Sequence, residues 1–241
     1  MSRGPEVLRR QRSDGRSTGT KRSHRRRRLG LFIVTAGVLI VVAATLPRLF
    51  ADTDSFPVPS RAALAGLSVP QRIVAFARSQ VGYRTDPADS YCNKFSAYWD
   101  AGTGGCPSGE TAEQWCADFA AWAWQQAGVH VTYGYGPGDI NGAAVSFYQW
   151  AVAHREWHPA TSGYVAAPGD VAVYGLSRGD DPSAAHVAIV TRDTSRQRGP
   201  DVVNGDGDRT GFSAVETGTD QVQVDADQHV SILAGYVSPP S

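Results

Sequence analysis

The order of apolar and polar positions changes once along the chain, from a period near that of a helix to short β-branched runs. Residues 70–82 (PQRIVAFARSQVG) place Ile73, Val74, Ala77 and Val81 at helical spacing behind Pro70, with Gly82 as terminator, and predict a helix. A second helix is predicted over residues 111–126, opened by a capping box with Thr111 as N-cap and Gln114 three residues on, and closed by Gly128. In it Trp115, Phe119, Trp122 and Gln126 form one stripe and Cys116, Ala120, Ala123 and Ala127 the adjacent one, so it packs on more than one side. Residues 143–156 suit a third helix, and residues 61–66 a short one. Beyond these, residues 170–174, 186–191, 201–204, 211–217 and 230–236 are separated by Gly, Asp, Pro and Ser clusters and read as strands. Helices first and an antiparallel sheet afterwards predict an α+β domain.

Residues 29–46 (LGLFIVTAGVLIVVAATL) break this alternation, with eighteen residues and no charge. As a helix, at about 1.5 Å per residue, they reach roughly 27 Å, enough to cross a bilayer. Arg25 to Arg28 precede them and only Arg48 follows closely, so the basic tail, residues 1–28, is expected in the cytoplasm and everything after Pro47 outside. This segment is expected to be a signal-anchor; a cleaved signal peptide, which would release the protein, is the alternative. Residues 47–69 are Pro-, Ser- and Ala-rich and read as an extracytoplasmic stalk, leaving residues 70–238 as the folded domain. Composition agrees with one core, at 241 residues and 41% hydrophobic content. The formal net charge of zero conceals a split, because residues 1–28 hold eleven of the 23 Lys/Arg and two of the 23 Asp/Glu. The tail is thus near +9 and the remainder near −9.

Export changes the meaning of the three cysteines, since disulfides persist outside the cytoplasm and an odd count leaves one thiol over. Cys92 and Cys106 flank a Gly-rich loop whose closure stabilises by roughly 3 kcal/mol in the chain-entropy model. That pairing leaves Cys116 free. A Cys106–Cys116 pair, or no disulfide, remains open, because spacing does not determine connectivity.

A hydrolytic cysteine needs an imidazole to move its proton, a group to orient that imidazole, and donors for the oxyanion. Cys116 lies in the first turns of its predicted helix, where the dipole favours a thiolate. Of the six histidines, His24 falls in the tail, His154 and His158 at a helix end and the loop after it, and His130 and His229 in polar turns. His186 instead opens the strand HVAIV, across a long hairpin from PGDVAVY. Asn204 ends the next strand and its side-chain oxygen can accept from an imidazole N–H. Each has an ordinary structural alternative: a buried thiol, a strand-end histidine, and an Asn-Gly turn.

Taken together, EQWCADFAAWAWQQAG, PGDVAVY, HVAIV and the strand after them resemble the CHAP domain, the cysteine- and histidine-dependent amidohydrolase/peptidase of cell-wall lytic enzymes, over roughly residues 70–236. The resemblance implies a papain-like fold of helices on an antiparallel sheet. It also implies amide-bond cleavage in peptidoglycan by Cys116, His186 and Asn204, as an N-acetylmuramoyl-L-alanine amidase or a peptide endopeptidase. Where the family often has Glu in an Ile-Glu-Gly-Asn-like turn, this chain has Val203-Asn204-Gly205-Asp206, so Asp206 is the alternative for the third role. Trp115, beside the cysteine, is a candidate substrate contact, and Tyr133 and Tyr135 are candidates for the cleft edge. The chain departs from the Asp-Cys-Ser-Gly start of the related NlpC/P60 peptidases. A non-catalytic wall-binding or assembly component of the same fold is the alternative function.

No cofactor, metal or nucleic acid is expected. Asn204, Asp206 and Asp208 imitate a calcium loop, but Arg209 stands where glycine is required and Val215 where a bidentate Glu is required. The expected partners are peptidoglycan, the cytoplasmic membrane and an unidentified regulatory protein. The expected location is a single-pass membrane protein with its catalytic domain outside.

Overall fold

A computed structural model of the chain describes residues 56–88, 90–107, 109–195, 199–207, 213–219, 222–224 and 230–240. The tail, the apolar run 29–46 and the start of the stalk lie outside these residues. Among the described residues no helix is long and apolar enough to cross a membrane.

Helix α1 (Arg61–Leu64) is a single turn, and α2 (Val69–Ser79) follows it. A capping box starts α2: the Ser68 hydroxyl accepts from the Gln71 N–H and the Gln71 side chain from the Ser68 N–H, with Pro70 in the first turn. Its buried face is Ile73, Phe76 and Ala77, whereas Val81, past the helix end, is 39% exposed. Contacts with the core also come from residues before 70. Phe56 meets Tyr83 edge-on with centroids 5.8 Å apart, Lys94 Nζ lies 5.4 Å from the Phe56 ring, and Leu64 and Val69 pack on the core. These aromatic and cation–π contacts hold the second half of the expected stalk against the domain.

Strand β1 (Cys92–Asn93) leads into α3 (Lys94–Tyr98), which Asn93 caps by accepting from the Phe95 and Ser96 N–H groups at 3.0 and 2.7 Å. Thr111 does not cap a helix. It belongs to β2 (Thr111–Ala112), antiparallel to β1, and Ala112 bridges Thr103 as well. The Cys92–Cys106 disulfide closes this region and leaves Cys116 as the free thiol. Pairing to β1 outweighs the local capping signal, so α4 starts only at Cys116 and runs to Gln126. All its residues from Cys116 to Trp124 are buried, in keeping with packing on several sides. Arg72 Nε donates to Ala127 O at 3.0 Å and satisfies one of its last carbonyls.

Helix α5 (Val145–His154) precedes β3 (Trp157–Pro159), β4 (Val171–Tyr174), β5 (His186–Ser195), β6 (Gly199–Gly207), β7 (Ala214–Thr219), β8 (Val222–Val224) and β9 (Val230–Val237). They form an antiparallel sheet in the order β3-β9-β4-β5-β6-β7, with β8 on β9. The fold is α+β. Alternate residues of the central strands bury opposite faces. Val171, Val173, Val187, Ile189 and Val203 join the helices in the main core, while Ala172, Tyr174, Ala188, Val190 and Val202 form a second cluster with Tyr236. Burial on both faces explains the β-branched runs in the sequence.

Candidate active site

Helix α4 packs against β5 and β6, which brings its first residue to the start of β5. Cys116 is buried there, its sulfur within reach of the Val187 and Ala117 N–H groups, which favour its anion. Burial dominates, and with the Asp206 and Asp118 carboxylates it pushes the thiol up to about 12. The resting thiol is therefore neutral, and a thiolate requires a base that takes its proton.

His186, the first residue of β5 and immediately before Val187, has its Nε2 3.1 Å from Asn204 Oδ1. An amide oxygen only accepts, so Nε2 carries the proton and a neutral ring keeps its basic lone pair on Nδ1. Tyr174 lies across the β4–β5 ladder from His186, their rings 6.2 Å apart. Asn204 is fully buried, and its Nδ2 has no hydrogen-bond partner.

The backbone distinguishes Asn204 from Asp206. Ala188 pairs with Asn204, so a regular continuation would set residue 206 opposite His186. Instead β6 shifts register against β7 between Asn204 and Gly207, and Asp206 has a left-handed φ of 59°. Its carboxylate accepts from the Trp115 N–H at 3.1 Å and from the Ser213 hydroxyl, while Trp115 Nε1 donates to Ser213 Oγ at 2.8 Å. Asp206 thus ties β6 to the residue before Cys116.

Trp115 is not at a substrate surface. It is 0% exposed, stacked on Phe95 at 5.3 Å and edge-on to Tyr83, because the bonds to Asp206 and Ser213 turn it inward. Trp122, Trp124 and Trp150 are core residues as well.

An acidic cluster that no sequence motif marks lies next to the cysteine. Asp118, fully buried two residues after Cys116, accepts from the Ser96 hydroxyl at 2.6 Å and from the Tyr133 hydroxyl, and its carbonyl accepts from Trp99 Nε1 at 3.1 Å. Burial first, and Asp118 second, push the Glu113 carboxyl up to about 8, so it is protonated at neutral pH. Burial together with the Asp118 carboxylate also raises Tyr133 far above the usual phenol range. An Asp two residues past the cysteine, in the helix's first turn, was the available signal. Among the described residues no group of three or more His, Cys, Asp or Glu is placed to hold a metal.

A buried cysteine at a helix start, packed against a strand that opens on a histidine with an asparagine partner, belongs to the papain-like class of α+β folds. The family model for the CHAP domain matches residues 107–204, which span Cys116, His186 and Asn204, and the chain carries a CHAP domain, a module of peptidoglycan amidases and peptidases. No curated protein and no solved structure matches the chain.

Proposed function

We propose that this protein is a cysteine hydrolase that cleaves amide bonds of peptidoglycan, with Cys116 as nucleophile, His186 as acid and base, and Asn204 as the residue orienting His186. The observation that carries this reading is the His186 Nε2–Asn204 Oδ1 hydrogen bond on strands packed against the helix that Cys116 begins. With Nε2–H held by Asn204, Nδ1 is the nitrogen that accepts the thiol proton, forming an imidazolium–thiolate pair. The sulfur attacks the carbonyl carbon, and the oxyanion is stabilised by the Cys116 N–H at the positive end of α4. Collapse breaks the C–N bond as His186 returns its proton to the leaving amine, giving a thioester. His186 then takes a proton from water, whose oxygen displaces the sulfur and leaves a carboxylate product.

The apolar run 29–46 and the basic residues before it support placement of this domain on the outer side of the cytoplasmic membrane, with its approach to the wall limited by a tether.

Mass spectrometry of muropeptides released from purified peptidoglycan tests the reading. The wild-type chain is expected to generate new amines, and Cys116→Ala none. A Cys116→Ala protein that still cuts overturns the nucleophile, and an inactive wild type that binds the wall favours a binding component.

A further inference from the structure

Two aromatic rings stand out in water on segments that meet over Asp118, in the first turn of the helix that Cys116 begins. Tyr98 is 47% and Tyr135 80% exposed, the first at the end of α3 and the second in the 131–142 loop. The segments join where Trp99 stacks on Tyr133, centroids 4.5 Å apart and planes 6° from parallel, and Tyr98 meets Trp99 edge-on at 4.9 Å. Asp118 holds this junction by accepting from Tyr133 and, through its carbonyl, from Trp99 Nε1, which fixes the rings to the turn of α4 that begins with Cys116. The loop is closed on itself as well: Gly134 N–H donates to Ile140 O at 2.9 Å, Gly136 N–H to Asp139 Oδ2 at 2.9 Å, and Asn141 Nδ2 to Gly134 O at 3.3 Å. Rigid rings lose little entropy when a ligand lies on them.

The surrounding chemistry narrows the ligand. Residues 95–104 and 131–144 contain no Lys, Arg or His but do contain Asp100 and Asp139. An anionic ligand is repelled there. A neutral ring with a C–H-rich face and hydroxyl or amide donors along its edge suits both the rings and the acceptors. A peptide backbone offers hydrogen-bonding edges but little flat apolar surface. We infer that Tyr98, Trp99, Tyr133 and Tyr135 form a stacking subsite for the saccharide part of the polymer, tied through Asp118 to the helix that Cys116 begins. This inference rests on the peptidoglycan hydrolase reading above.

The full chain carrying Cys116→Ala, titrated with a β-1,4-linked N-acetylglucosamine tetramer and followed by tryptophan fluorescence and calorimetry, is expected to bind saturably. Tyr135→Ala and Tyr98→Ala, both on exposed rings and expected to keep the parent melting temperature, should each weaken binding about tenfold, the scale of one aromatic contact. In the active chain the same changes should reduce kcat/KM on glycan-bearing muropeptides about tenfold more than on the glycan-free stem peptide. Absence of saturable binding overturns the subsite, as do equal losses on the two substrates, which would assign the rings to the peptide. A chain that binds the tetramer through Tyr98 and Tyr135 yet cleaves no substrate supports the subsite and overturns the hydrolase reading alone.

Discussion

Asn204 and Asp206 show how little separates two candidates two residues apart on one strand. Both carry an acceptor, and regular alternation would turn both to the same face. The left-handed φ at Asp206 sends its carboxylate to Trp115 and Ser213, while Asn204 stays with His186. Replacing Asn204 with Ala is expected to lower kcat/KM on the order of a hundredfold, as the imidazole loses its fixed tautomer, and to alter the pH–rate profile. A purely structural role would leave the profile's shape unchanged. Asp206→Asn keeps an acceptor for the Trp115 N–H but removes a charge that disfavours the Cys116 thiolate. The pH at which iodoacetamide alkylates Cys116 half-maximally should therefore move down, and an upward movement would contradict the electrostatic role. Cys116 and His186 were readable as candidates from position alone, a helix start and a strand start. Trp115 was misplaced because its burial depends on Asp206 and Ser213, which are about ninety residues away in sequence and adjacent only in the fold.

At the level of elements, the same local motif had opposite fates at two places. Ser68 and Gln71 make the capping box that Thr111 and Gln114 were expected to make, because residues 111–112 are drawn into pairing with the strand that Cys92 begins. The Cys92–Cys106 disulfide spans 14 residues, and its removal by Cys92→Ser with Cys106→Ser is expected to cost about 3 kcal/mol in urea unfolding. Contact between β6 and α4 is equally close. A Cβ at Gly205 would come within 2.4 Å of Phe119 Cβ, so Gly205→Ala must push the strand carrying Asn204 away from the helix carrying Cys116. A destabilisation of about 1–3 kcal/mol, with a larger fractional loss of activity than of folded protein, is the expected outcome. Activity falling only in step with the folded fraction would mean that this contact does not set the site.

For the whole molecule, Glu113 makes stability depend on pH. Its carboxyl is raised from 4.5 to about 8 in the fold, so the native state holds its proton more tightly than the unfolded chain does. Its contribution is complete below about pH 4.5 and is lost as pH rises through about 8. The melting temperature should decline across that window, and Glu113→Gln should flatten the decline. The charge split has its own consequence, since residues beyond 28 total near −9 and gain no general attraction to an anionic wall. Deleting residues 1–50 is expected to lower wall turnover in cells more than activity on soluble fragments, and equal losses would remove the case for a tether.

The sequence by itself determined the α+β order, the apolar run ahead of the domain, the helix that buries residues on several sides, and a cysteine and a histidine at element starts. These follow from periodicity and local backbone preference, which act over a few residues. Tertiary structure alone decided which acceptor meets His186, that Trp115 lies in the core, that residues from Phe56 onward pack on the domain, and that Asp118 joins Tyr133 to the helix that Cys116 begins. Each depends on a strand bulge or on contacts between residues distant in sequence, where packing and pairing outweigh any local signal.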